Sequence, residues 1–292
     1  FIMYIILQTV SCFFQILPRK LALYIGRILG SFFYYVIPLR KSIAIKNLGI
    51  AFPEWDMSKK KYILYSCYRH YGMVLVDFFR LPLIKRRRDK KIVQIPIESL
   101  ELFKKNDGGI IMSGHLGNWE YIGPALGINQ IDCAGVAKIQ HNSTSNQFFN
   151  ELRSSENFKI IPVGGGSKLM IETIQEGNYL GLISDQNAGW KGTKTQFFNH
   201  TVSVPKGAGA FYLKTNTPIL LGFCILSTDF QYNLSFQELN VDGLSNNSNE
   251  AIEEINQRYS TLLEEAVKKY PHQYFWFHRK WARSNYKGLS RY

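Results

Sequence analysis

Between residues 113 and 120 the chain reads Ser113-Gly114-His115-Leu116-Gly117-Asn118-Trp119-Glu120, directly after the apolar run Gly109-Ile110-Ile111-Met112-Ser113. An imidazole can take up and return a proton near neutral pH. A carboxylate that holds one ring nitrogen leaves the other free to act as a base toward an alcohol. On a regular helix, positions five apart point about 140° away from each other. His115 and Glu120 therefore meet only if His115 lies on a turn and Glu120 in the first turns of a following helix. The glycines permit close backbone approach, and N–H groups opening such a helix suit an oxyanion. On spacing alone two readings stay open: a general base with a carboxylate partner, or a histidine hydrogen-bonded for structure. Asp185-Gln186 ends another apolar run, so Asp185 either faces the same cleft or caps a loop or helix.

Other chemistries lack their signatures. No G-x-S-x-G elbow occurs, and Ser113-Gly114 is not one, so direct proton transfer to histidine without an acyl-enzyme is the simpler scheme. There is no H-E-x-x-H, and His70, His115, His141, His200, His272 and His278 are dispersed, so no metal site is expected. Gly164-Gly165-Gly166-Ser167-Lys168 lacks the spacing of a phosphate loop and reads as a strand-to-helix connection. Cys12, Cys67, Cys133 and Cys224 form no C-x-x-C pair and read as ordinary buried thiols of a reducing compartment.

The elements that must position these residues follow from periodicity. Met57 to Leu81 is patterned as a helix, with Ser58 as its expected N-cap. Lys85 to Lys91 is a basic run that reads as a solvated helix end. From Gly108 onward, short apolar runs (Gly109–Ser113, 133–138, 159–163, 179–184, 218–226) alternate with helical patterns (144–154, 168–175). That alternation predicts an α/β fold with a mostly parallel sheet. Tyr232 to Leu239 reads as an edge strand, and Asn249 to Tyr270 as a long amphipathic helix. In such sheets, sites form at the carboxyl ends of the strands.

The charge is unevenly placed. The 292 residues are 46% hydrophobic and carry a net charge of +13, which rules out a disordered chain. Phe1 to Pro53 holds six Lys/Arg and no acid, Ala266 to Tyr292 holds seven and no acid, and the body between is neutral. Two cationic flanks on a neutral body point to an anionic membrane surface or nucleic acid. The oily Phe32-Phe33-Tyr34-Tyr35 and Tyr274-Phe275-Trp276-Phe277 favour the membrane, and no nucleic-acid-binding motif is visible. Phe1 to Leu17 is uncharged. With Leu21 to Leu39 it is expected to form either a spanning helix or a pair of interfacial helices. Basic residues after the apolar run place the body in the cytoplasm. The expected organisation is residues 1–53 as a membrane anchor and residues 54–292 as one α/β domain.

Five blocks, in order, resemble the bacterial lipid A biosynthesis late acyltransferases, which share an HX4(D/E) motif with the lysophospholipid acyltransferases. They are Asn47-Leu48 with Phe52-Pro53-Glu54; Gly114-His115 through Asn118-Trp119-Glu120; Gly135-Val136, Lys138 and Asn142, with Arg153 downstream; Asp185-Gln186, Gly189, Phe197-Phe198 and Pro205-Lys206-Gly207; and Pro271, Gln273-Tyr274, Trp276 and His278-Arg279. The chain departs from the family at Ala137, Ile139 and Asn199, positions that bear on acceptor specificity. The resemblance implies a glycerolphosphate-acyltransferase-like sheet flanked by helices. It also implies His115 as base with Glu120 as its partner. Asn118, Lys138, Arg153, Asp185, Gln186 and Arg279, with Lys280 beside it, are implied to bind substrate or order the cleft. It implies no cofactor, with acyl-ACP or acyl-CoA as co-substrate. The implied acceptor is a membrane lipid, a phosphorylated glucosamine disaccharide with a 3-hydroxyacyl chain, at the cytoplasmic face of the inner membrane. Acidic acyl carrier protein and anionic lipid are the implied partners, and nucleic acid is not. A lysophospholipid, aminolipid or other glycolipid acceptor is the alternative. A non-catalytic basic membrane-binding protein is the weaker one.

Overall fold

The computed structural model describes residues 2–86, 90–139, 142–155, 157–164 and 166–289. Arg87, Arg88 and Asp89 of the basic run, His141, Gly165 and Arg291 lie outside the described residues.

Five helices come first: α1 (Ile2–Ile16), α2 (Arg19–Tyr35), α3 (Lys41–Ala51), α4 (Met57–Phe79) and the short α5 (Leu81–Lys85). Pro18 separates α1 from α2, because the residue before a proline is driven out of helical geometry. The α4 N-cap is Asp56, whose carboxylate accepts from the Lys59 N–H at 2.7 Å, rather than the expected Ser58. The carboxylate also faces the positive end of a helix dipole, which a serine hydroxyl does not exploit. Helices α2 and α4 cross with their backbones touching: a Cβ on Gly72 would lie 2.0 Å from the Gly26 carbonyl oxygen.

The α/β part then runs β1 (Val93–Gln94), α6 (Ile97–Lys105), β2 (Gly109–Ser113), α7 (Ile122–Ile128), β3 (Cys133–Ala137), α8 (Ser143–Arg153), β4 (Phe158–Pro162), α9 (Ser167–Gln175) and β5 (Tyr179–Ile183). It continues with a hairpin β6 (Thr193–Phe197) and β7 (His200–Val204), then α10 (Gly207–Thr215), β8 (Ile219–Leu226), β9 (Tyr232–Glu238) and α11 (Ser248–Lys269). The sheet order is β1-β9-β8-β2-β5-β3-β4. Strands β8, β2, β5, β3 and β4 are mutually parallel, β9 is antiparallel to β8, and β1 follows β9. The expected parallel sheet is present. The strand at Tyr232 is not its edge, because two residues, Val93 and Gln94, pair outside it. A strand that short leaves no readable alternation.

Side chains alternate between two cores. Ile110 and Met112 of β2 pack with Ile255, Tyr259 and Leu263 of α11 on one face. Ile111 packs with Val76 and Phe78 of α4 and Leu126 of α7 on the other. The N-terminal helices enter both cores, with Ala22 and Leu23 of α2 in the second and Ile43, Ala44 and Leu48 of α3 in the first. Their outer faces are apolar and exposed, at Ile5, Ile6, Phe13, Leu21, Tyr24, Ile28 and Phe32. Cys12 belongs to that face and is exposed, against the expectation of four buried thiols, whereas Cys67, Cys133 and Cys224 are buried. Among the described residues, no helix is long and apolar enough to cross a membrane.

Candidate functional site

The central strand β2 and its neighbour β5 run in parallel register, Gly109 opposite Tyr179 and Ser113 opposite Ile183. Two residues further along each strand, the same register brings His115 to Asp185. The Asp185 carboxylate spans the histidine: Oδ2 accepts from the His115 N–H at 3.1 Å, and Oδ1 lies 2.6 Å from Nδ1. An ionised carboxylate only accepts hydrogen bonds, so Nδ1 carries the proton and Nε2 presents its lone pair. The charge on Asp185 is secured. Burial acts to raise its pKa, but His115, the Lys280 ammonium and the backbone outweigh it and hold the carboxyl well below its ordinary value.

The turn carrying His115 is laced from several sides. Gly117 sits at φ +67°, and a Cβ there would lie 2.0 Å from the Cys224 carbonyl oxygen, so only glycine fits. The N–H groups after Gly114 are consumed locally: Leu116 donates to Gly114, Gly117 to Gln273, and Asn118 to Cys224. The turn uses the Gly117 and Asn118 N–H groups to dock onto the C-terminal segment and β8. The Phe275 N–H and the Tyr71 hydroxyl both donate to the His115 carbonyl, at 2.9 and 3.0 Å.

On the other side of the ring, the Gln186 amide nitrogen stands 3.2 Å from His115 Nε2 and 2.7 Å from His278 Nε2. Trp119 packs edge-on to His115 at 4.5 Å between centroids. His278 is driven neutral, its pKa pushed down to about 4 by burial and then by the neighbouring His115. His115 and Gln186 line a cavity of about 660 Å³ that runs back between β2, β3, β5 and α7. Its deep wall is apolar, with Ile111, Ile122, Leu126, Ala134 and Ile160, and its polar part carries Lys138, Glu120 and Arg153.

Glu120 does not reach His115. Its two carboxylate oxygens are taken by Arg153 at 2.7 Å each, in a bidentate pair. Burial works against the Arg153 charge, yet the Glu120 carboxylate outweighs it and raises the guanidinium pKa. The expected His115–Glu120 contact is therefore corrected: the imidazole partner is Asp185. Glu120 does sit in a short 3-10 turn after the His115 loop, but the arginine of α8 occupies it.

A profile of the bacterial lipid A biosynthesis acyltransferases matches residues 1–283. The chain belongs to this family. It is an acyltransferase, and the family's reaction is acyl transfer to a lipid acceptor. The chain is 22% identical over 270 residues to the Lipid A biosynthesis palmitoleoyltransferase of Escherichia coli, covering 90% of this chain and 86% of that protein. It is equally similar to the Lipid A biosynthesis acyltransferase of Shigella flexneri. A Phosphatidylinositol mannoside acyltransferase of Mycobacterium tuberculosis is 23% identical over 162 residues, covering 53% of this chain and 51% of that protein.

The acyltransferase motif blocks divide between lining the cavity and supporting it. Lys138, Arg153, Gln186 and Glu120 line it. Asn118 is fully buried and donates to the Tyr232 hydroxyl at 3.2 Å, so it supports the turn and does not line the cavity. Its neighbour in that network, Asp77, accepts from Tyr232 and pairs with Arg19 at 2.7 Å. The Arg279 guanidinium lies over the Tyr286 ring, away from the cavity. Lys280 is buried and donates to the Asp185 carbonyl, its pKa pushed down to about 8 by burial. Asn47 donates to the Trp276 and His278 carbonyls, tying the first block to the last. His278, which shares the Gln186 amide with His115, was not among the expected site residues. The signal was its place in the terminal block, two residues after a buried tryptophan. Among the described residues, no cluster of three or more metal-ligating side chains occurs.

Proposed function

We propose that the protein transfers a fatty acyl chain from an acyl thioester, of acyl carrier protein or coenzyme A, to a hydroxyl of a lipid A precursor. The observation that carries this reading is an imidazole at the mouth of an apolar cavity, with its tautomer set by a buried Asp185. His115 Nε2 takes the proton of the acceptor hydroxyl, which replaces the Gln186 amide there. The oxygen bonds to the thioester carbonyl carbon, and the displaced amide is the nearest donor to the oxyanion that forms. The intermediate collapses, the C–S bond breaks, and the sulfur leaves with the proton held on Nε2. Asp185 stabilises the imidazolium through both steps. The apolar part of the cavity takes the acyl chain, and Lys138 with the Glu120–Arg153 pair faces the polar groups of the substrates.

The exposed apolar faces of α1 and α2, flanked by bases and no acids, suit a position in the membrane interface at the cytoplasmic side of the inner membrane. The basic flanks also suit docking of an acidic carrier protein. A second reading, a mannosylated phosphoinositide as acceptor, is favoured by the likeness to the mannoside acyltransferase over half of the chain.

Mass spectrometry of products from purified protein given acyl-ACP and several acceptors tests the reading. Transfer to the lipid A precursor is expected. His115→Ala should lower it about a hundredfold or more while the protein stays folded. Full transfer by a folded H115A variant would leave a non-catalytic binding role as the better account.

A further inference from the structure

A second cavity, of about 540 Å³, with a different lining, reaches the same imidazole cluster at His278. It lies between α2 and α4 under the C-terminal aromatic segment, with Leu29, Phe33, Leu75 and Phe277 in its walls. His278 lines it at one end, and the Gln186 amide bridges His278 to His115. The phenols in its wall bring no free donor, since Tyr68 donates to the Leu39 carbonyl and Tyr71 to the His115 and Gln273 carbonyls. An apolar groove of this kind holds a hydrocarbon chain better than a water-soluble group.

Three features identify the occupant. The groove is continuous with exposed apolar residues of α2 and the loop after it, among them Phe32, Val36 and Leu39, so its mouth opens on the lipid-like face. A cation sits beside His278: Arg40 lines the groove, donates to the Phe277 carbonyl at 3.3 Å, and holds a left-handed φ of +54°. Such a backbone conformation is strained in a non-glycine residue and is retained where the fold over-determines it. Finally, no acid occurs in the first 53 residues, so the surroundings are complementary to an anionic headgroup.

We propose that this groove takes an acyl chain of the lipid acceptor, with Arg40 meeting its anionic headgroup. Donor and acceptor chains then approach His115 from two separate cavities, and His278 with Gln186 is the partition between them. The inference rests on the acyl-transfer reading above.

The test uses the full-length protein in anionic phospholipid vesicles. The probe is a phosphorylated glucosamine lipid whose 3-hydroxyacyl chain ends in a diazirine. After irradiation, labelled peptides should contain Leu29, Phe33 or Leu75. Labelling confined to the first cavity, at Leu126 or Ile160, overturns the proposal, and so does the absence of specific label. The same labelling is expected in the His115→Ala variant, where transfer is lost, so failure of the groove and failure of the acyl-transfer reading are told apart. Leu75 is 47% exposed, so Leu75→Trp should fold while filling the groove. It should lower labelling and raise the acceptor KM, each about tenfold, with no matching rise for the acyl donor. Arg40→Gln should weaken labelling by the phosphorylated probe more than by its dephosphorylated form. Equal labelling of L75W and wild type overturns the proposal.

Discussion

Asp185 and Glu120 are two carboxylates close to one cavity that answer to different partners. Asp185 is sealed beneath the imidazole with Lys280 behind it, and its charge is spent on orienting His115. Glu120 is part of the cavity wall, and its charge is spent on fixing Arg153. The first arrangement fixes the tautomer of an imidazole, and the second fixes the shape and charge of part of the cavity wall. The five-residue spacing from His115 makes Glu120 conspicuous in the sequence, but the sheet register makes Asp185 the neighbour.

The comparison breaks or holds first on Asp185→Asn. The amide keeps the shape but can offer its NH2 to Nδ1, which favours the tautomer with its lone pair on the wrong nitrogen. We expect kcat to fall about a thousandfold, within the range lost with a general base, and substrate KM to change little. If D185N retains near-normal kcat while a folded Glu120→Gln variant does not, the assignment of partners is reversed.

Glu120→Gln should do less to kcat and more to KM. It leaves the half-buried Arg153 with a neutral partner, and the bidentate charge-assisted pair is lost. We expect kcat/KM to fall about tenfold to a hundredfold, mostly through KM, against the larger fall of D185N. A cycle of E120Q, Arg153→Gln and the double variant should give a coupling of about 1.5–3 kcal/mol, the scale of a charged hydrogen bond. Additive effects would mean that the pair is incidental to the cavity.

Much of the scaffold was legible because its cues are local. The apolar run ending at Ser113 and the helical pattern after Asn249 each carry their own periodicity, and both elements form where expected. The β1 strand of two residues carries no such cue, whereas the β6–β7 hairpin does, with Thr193, Thr195 and Phe197 alternating with Lys194 and Gln196, and it was not among the expected strands. The site was half legible for the same reason. His115 and Asp185 each end an apolar run, which marked both as candidates. Their contact depends on β2 lying beside β5 in one register, across 70 residues of chain, and no spacing rule reaches that far. Likewise, Glu120 and Arg153 were both singled out, yet their pairing exists only once α8 packs over the turn. Asn118 looked like a substrate ligand from its place in the motif, but the Tyr232–Asp77–Arg19 network that claims it is assembled from three distant segments.

The smallest effect separates the two sides of the imidazole by pH. Behind His115, Asp185 has a depressed pKa. Its contribution to stability is complete above the ordinary aspartate range and is lost only as pH falls below about 4. Two other histidines, His278 on the open side and the fully buried His70, are depressed too, but from a higher ordinary value. His278 is pushed down to about 4 and His70, buried against the Gly117 carbonyl, to about 3, in both cases chiefly by burial. The unfolded chain binds these protons near pH 6.5 and the folded chain does not. Their contribution is therefore full above pH 6.5 and is lost as pH falls toward 4, at up to about 1.4 kcal/mol per pH unit for each group. Denaturant melts between pH 7 and pH 4.5 should show stability falling with pH. In that window His278→Gln should flatten the slope, whereas D185N should shift the curve without changing its slope. A slope unchanged by H278Q would mean that His278 titrates normally in the folded protein, and the partition between the two cavities would then carry a charge near pH 6.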